Sequence, residues 1–117
     1  MGEVGLAVDG STSLESIKVP FDDLDCILIM TIKAGESGQA FVPEYLEKVK
    51  ILNQAQPDQD DPSTGSGQAI EVDGGIKDKT IVQSRNAGTT RFVANSFIFN
   101  SKDPKYQYQL LGKQLLA

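Results

Sequence analysis

The sequence contains no histidine and no tryptophan, and a single cysteine in 117 residues. Without histidine, the commonest general base and the commonest transition-metal ligand are both absent. A zinc site built by this chain alone is therefore close to excluded. One cysteine allows no internal disulfide, and Cys26 sits in an apolar run where it reads as core packing. Acid–base chemistry, if present, falls to carboxylates, lysine or tyrosine. Long hydrophobic runs are also missing. The longest, residues 26–32, is far too short to span a bilayer, and no signal peptide precedes the first apolar residues. Met1-Gly2 is not a myristoylation start, because position 6 is Leu6. The net charge of −5 comes without a visible basic patch, which argues against nucleic acid as a partner. These absences leave a soluble protein with no membrane partner, expected in the cytoplasm.

A 39% apolar fraction over 117 residues supports one modest domain, residues 1–117, and not two. Short apolar runs alternate with amphipathic segments. Residues 4–8 read as a strand, and residues 11–16 as a loop leading into a helical turn ended by Pro20. Residues 26–32 form a near-continuous apolar run, as in a strand covered on both faces. A glycine-containing loop follows at residues 33–39. Pro43 suits the first turn of a helix, with Leu46, Val49 and Leu52 at helical spacing. Residues 55–68 are rich in Asp, Gln, Ser, Gly and Pro and read as a mobile surface loop within the domain. Residues 69–72 form the next strand. Asp78 can cap a helix that runs to about Ala87 and stops at Gly88. Residues 91–95 form a fourth strand, and Asp103-Pro104 cap a last helix carrying Leu110, Leu111 and Leu115.

Four strands, each followed by a helical segment, imply a parallel sheet with right-handed crossovers. Such a (βα)4 unit is half of an eight-stranded barrel, which typically needs about 250 residues. A small open α/β sheet is the alternative. In either arrangement the residues just past each strand gather at one rim: Asp9 to Thr12, Lys33 to Gln39, Asp73-Gly74-Gly75 and Asn95-Ser96. The most informative segment is Ile70-Glu71-Val72-Asp73-Gly74-Gly75. A buried strand ends in a carboxylate, and two glycines let a ligand approach bare backbone. Alone, Asp-Gly-Gly is also an ordinary tight turn. The last two strand ends are the usual phosphate site of a barrel, where backbone N–H groups and a short helix N-terminus hold the anion. An acidic protein binds an anion through such local dipoles rather than its net charge.

Several segments then occur in an order that resembles a known family: Gly5-Leu6-Ala7-Val8; Met30-Thr31-Ile32 with Gly35, Gly38, Gln39 and Phe41; Pro43-Glu44 with Leu46 and Lys48; Glu71 through Ile76; Ala87-Gly88; and Phe92 through Ser96 with Ile98-Phe99. Together they resemble the C-terminal half of ribulose-phosphate 3-epimerase, over nearly the whole chain except residues 55–68. The resemblance implies an α/β fold, a parallel (βα)4 half of a TIM (βα)8 barrel that starts at the fifth strand. It implies interconversion of ribulose 5-phosphate and xylulose 5-phosphate, in the pentose phosphate pathway, by proton transfer at C3. That reaction needs two acid–base groups on opposite sides of a planar enediolate, with a divalent metal ion stabilising the oxyanion.

Asp73 matches the family aspartate that serves as metal ligand and as one catalytic acid–base group. Met30 matches a methionine lining the substrate pocket. Gly35, Gly38, Gly74, Gly75 and Ser96 match positions around the phosphate, and Asn95 stands there in place of the common glycine. The family's metal-binding histidines and second catalytic aspartate lie on early strands, outside the matched segments. The chain alone is accordingly expected to bind metal weakly and to be an inefficient epimerase. Ala34, and Glu36-Ser37, also depart from the family's Pro and Phe-Gly in the same loop. Asp9 and Glu36 are the rim carboxylates that could partner Asp73. Glu71 shares Asp73's strand parity and is expected deeper, in a polar layer. Two edge strands of a half barrel would expose backbone; self-association is one remedy, pairing with a separate N-terminal half is another, and a truncated product or a fragment of a longer protein is the third reading. The other readings are a noncatalytic sugar-phosphate or phosphate-binding half-barrel, a degenerate remnant, and a relative of allulose-6-phosphate 3-epimerase.

Overall fold

The computed structural model describes residues 2–17, 23–33, 40–55 and 69–116. The elements are β1 (Gly5–Val8), β2 (Cys26–Met30), α1 (Leu46–Ala55), β3 (Ala69–Asp73), α2 (Asp78–Ala87), β4 (Arg91–Val93), α3 (Ser96–Phe99) and α4 (Pro104–Leu116). Short, largely apolar runs form the strands, and buried residues three apart, Leu46, Val49 and Leu52 on α1 and Ile81, Ser84 and Ala87 on α2, mark the helical faces that pack on them. Single 3-10 turns precede β2, at Leu14–Ser16, and α1, at Pro43–Tyr45. The strands pair in the order β1-β2-β3-β4, all parallel.

The strand residues divide by parity. Ile27, Ile29, Ile70 and Val72 point to one face and are at most 1% exposed. Leu46, Val49 and Leu52 of α1, Ile81 and Ala87 of α2 and Leu111 of α4 cover them. Burying one such isoleucine contributes about 1.5–3 kcal/mol, so this layer is the main source of stability. Residues of the other parity, Cys26, Leu28, Met30, Glu71 and Asp73, are only half-buried. A doubly wound sheet needs helices on both faces and a reversal of strand order. Sequential order and a one-sided helical layer are instead what a partial TIM barrel shows, with its lumen face open.

Local chemistry ends the elements. Gly88, with φ near 119°, accommodates the left-handed turn after α2, and a Cβ there would run into Asn53. The N–H groups of Gly88 and Thr89 bond to the Arg85 and Ser84 carbonyls, closing the helix. Ser84, buried on the same helix, donates to the Thr80 carbonyl at 2.9 Å. The Asp103 carboxylate accepts the Tyr106 N–H at 3.1 Å, capping α4 as the Asp-Pro pair predicts.

Several boundaries differ from expectation. The first strand begins at Gly5 rather than residue 4. The second strand stops at Met30, two residues early, because Thr31 turns its N–H to the Asp73 carbonyl and its carbonyl to Val42. The fourth stops at Val93, because Asn95 leaves the sheet to cap α3, an element that the apolar pattern did not separate from the strand. Asp78 is the first helical residue of α2, and the cap position is Lys77. The expected mobile loop lies outside the described residues beyond Ala55, as do Pro20 and residues 34–39.

Candidate functional site

The C-terminal ends of β3 and β4 enclose a cleft of about 330 Å³, lined by Ile32, Asp73, Gly74, Gly75, Ile76, Lys77, Val93, Asn95 and Ser96. Asp73 is the last residue of β3, with its side chain on the open face, level with Met30 and Val93. The strand delivers the carboxylate to the rim and the chain then turns away.

That turn requires glycine twice. Gly74 and Gly75 have φ of 126° and 71°. A Cβ on Gly74 would lie 2.8 Å from Ile32, and one on Gly75 2.8 Å from Phe41. Both carbonyls are held. The buried Thr31 hydroxyl donates to Gly74 at 2.6 Å, and Thr80 donates to Gly75 at 2.7 Å. Thr80 also accepts the Lys77 N–H at 2.7 Å, tying the turn to the start of α2. With both carbonyls held by threonine hydroxyls, the glycines form a floor against which an anion can lie. Asn95 and Ser96 supply the opposite wall, where β4 ends and α3 begins.

Of the residues expected at this site, Asp73, Gly74, Gly75, Asn95 and Ser96 come together in one cleft. Met30 neighbours Asp73 on the open face without lining the cleft. Gly35, Gly38 and Glu36 lie outside the described residues. Asp9 is exposed beyond the end of β1 and is not in the cleft lining. Glu71 lies two residues deeper, half-buried and in register with Arg91, as its parity implies. Three contributors were not picked out from the sequence. Among the described residues Lys77 is the one cation lining the cleft, and its signal was its position two residues after Gly75. Thr31 and Thr80 carry no sequence signal of their role, since a threonine reads the same whether or not it pins a turn.

Cys26 lies on the open face at the far end of the sheet from the cleft. Burial raises its thiol above the ordinary range, and the neighbouring Glu71 adds to that shift, with Arg91 opposing it. The upward shift disfavours its thiolate, the form that acts as a nucleophile. Among the described residues, no three His, Cys, Asp or Glu side chains converge as metal ligands. Asp73 is a single carboxylate donor, so the described residues do not by themselves fit a divalent-metal centre. Also among the described residues, no helix is long and apolar enough to cross a membrane.

Comparison with known proteins bears directly on this geometry. Residues 2–99 match the model of the ribulose-phosphate 3 epimerase family. Ribulose-phosphate 3-epimerase of Schizosaccharomyces pombe is 34% identical over 102 residues, covering 87% of this chain and 41% of that protein. The Aquifex aeolicus ribulose-phosphate 3-epimerase is 34% identical over 115 residues, covering 98% of this chain and 50% of its own. That of Mycobacterium tuberculosis is 32% identical over 115 residues, covering 96% and 47%. The chain spans about half the length of these curated relatives, and it belongs to the ribulose-phosphate 3-epimerase family.

Proposed function

We propose that this chain provides the phosphate cleft and one acid–base carboxylate of a ribulose-phosphate 3-epimerase, acting between ribulose 5-phosphate and xylulose 5-phosphate. The observation that carries the reading is a single cleft that holds Asp73 together with Gly74, Gly75, Lys77, Asn95 and Ser96. The phosphate would lie against the glycine backbone, with the Ser96 hydroxyl as donor and the Lys77 ammonium as counter-charge. The sugar would then extend toward Met30, placing its carbon chain at the Asp73 carboxylate. A carboxylate there removes the proton next to the ketone as the bond's electron pair passes into the enediolate. Return of a proton to the other face needs a second acid, which Asp73 cannot be at the same time. A divalent metal, which stabilises such oxyanions, would need donors beyond the described residues, so no step here is assigned to it.

Among the described residues no second carboxylate lines the cleft beside Asp73, which favours one other reading, a phosphate-binding half-barrel without turnover. An assay separates the two. Inorganic phosphate is titrated into the 117-residue chain while backbone amide shifts are followed. Epimerisation of ribulose 5-phosphate is then measured with divalent metal, on the chain alone and with the N-terminal half of the Aquifex aeolicus enzyme added. Phosphate should perturb Gly74, Gly75 and Ser96, and Asp73→Asn should keep that binding while removing any turnover. Turnover that survives Asp73→Asn, or phosphate that leaves those amides unmoved, sinks the proposal. Binding with no turnover in either mixture selects the noncatalytic reading. A cytoplasmic setting and a pentulose phosphate as partner belong to this same proposal.

A further inference from the structure

The open face and the two sheet edges carry information that the cleft does not use. β1 and β4 each have one neighbour among the described strands, leaving one edge of each without a strand. Val4 beside β1 is 59% exposed, and Val93 on β4 is 36% exposed. Leu28 and Met30 lie half-buried on the face between them. Unpaired parallel edges of this kind invite another chain. The register states what that chain must present.

Arg91 lies level with Glu71, Leu28 and Ala7 across the sheet. The first residue of β4 is thus level with the third of β1, so the strands climb from one edge to the other. Closing eight strands requires a total stagger of about eight residues, of which two identical halves contribute about four each. Following the climb, Arg91 at the free edge falls opposite residue 3 of a second copy rather than residue 7. Residue 3 is Glu3. The same step sets Val93 opposite Gly5 and Phe92 opposite the exposed Val4. Within one copy, Arg91 and Glu3 already approach to 3.8 Å, and both are half or more exposed. The face is therefore curled enough for a side chain of β4 to reach one beside β1, and its two edges carry opposite charges.

We propose that two copies of this chain close into one eight-stranded barrel about a twofold axis along the barrel, β4 of each pairing in parallel with β1 of the other. Both seams are then identical, each with Arg91 against Glu3 of the second copy, and no edge remains. The four-stranded halves bury Leu28 and Met30 against each other. Because β3 and its mate stand four strands apart in a ring of eight, the two Asp73 carboxylates face each other across the mouth. The inference rests on membership of a barrel family and not on the proposed activity, and its test reads mass, so either can fail alone.

Sedimentation equilibrium of the 117-residue chain is expected to give twice its 12.6 kDa. Glu3→Arg and Arg91→Glu should each lower the association constant at least tenfold. Mixing the two variants should restore the dimer, because each seam of the mixed pair again joins opposite charges while each chain's own 3–91 pair stays repulsive. Circular dichroism checks that each variant folds. Hydrogen exchange on the wild type offers a route independent of the variants, with the β1 and β4 amides becoming protected as concentration rises. A monomeric wild type, an open-ended series of oligomers, or a mixture that stays dissociated while the wild type is dimeric overturns the proposal.

Discussion

The two faces of the same four strands behave as different materials. On one, Ile27, Ile29, Ile70 and Val72 are sealed under α1, α2 and α4. On the other, side chains one position along, Cys26, Leu28, Met30, Glu71 and Asp73, remain half-buried. Removing apolar area from water is what holds a sheet to its helices. The sealed face therefore carries stability, and the open face can hold a carboxylate, a glutamate and an arginine at modest cost. The alternation of a strand gives each job to every second residue.

Substitutions on each face test that division. The largest effect is expected for Ile29→Ala on the sealed face, which should cost about 2–5 kcal/mol in urea unfolding. A loss below 1 kcal/mol would mean that the helical layer is looser than described. Gly75→Ala comes next. Its positive φ and the contact with Phe41 should cost about 1–3 kcal/mol, and phosphate binding should vanish with it. Thermal unfolding alongside a phosphate titration checks both parts. Leu28→Ala, one residue from Ile29 but on the open face, should cost less than about 1 kcal/mol at protein concentrations low enough to keep the chain monomeric. A loss as large as that of Ile29→Ala under those conditions would erase the difference between the faces.

Asp73→Asn should change stability by no more than about 0.5 kcal/mol, since the residue packs on the open side. The smallest effect concerns Cys26. Its raised pKa leaves less thiolate at neutral pH than a free cysteine has, so iodoacetamide should modify it more slowly below pH 9. The rate–pH profile should also be displaced upward relative to the urea-unfolded chain. A downward displacement would mark the open face as electropositive at Cys26.

Much of the site was legible because it is local. Asp73-Gly74-Gly75 needs only a strand that stops and a backbone that turns left-handed, and adjacent residues state both. Asn95 and Ser96 were legible through their place after the last strand. Lys77 was harder, because a lysine at a helix start is ordinarily solvated and only the cleft's shape enlists it. Thr31 could not be found this way, because its partner, the Gly74 carbonyl, is 43 residues away. The early end of β2 had the same cause: an apolar run reads as strand until a distant carbonyl captures its next N–H. The resemblance to an epimerase was legible from several short segments in order, and the family match over residues 2–99 bears it out.

By itself the sequence determined the order of the strands and the longer helices, their parallel arrangement, the carboxylate at a strand end and the glycines behind it. Hydrophobic period and turn chemistry act over a few residues, so they are written in the chain. Only the tertiary structure decided which strand parity would be sealed, which residues share one cleft, and that the Arg91 and Glu3 side chains approach each other from opposite edges. Those outcomes depend on register and curvature across strands far apart in sequence, where no local preference acts.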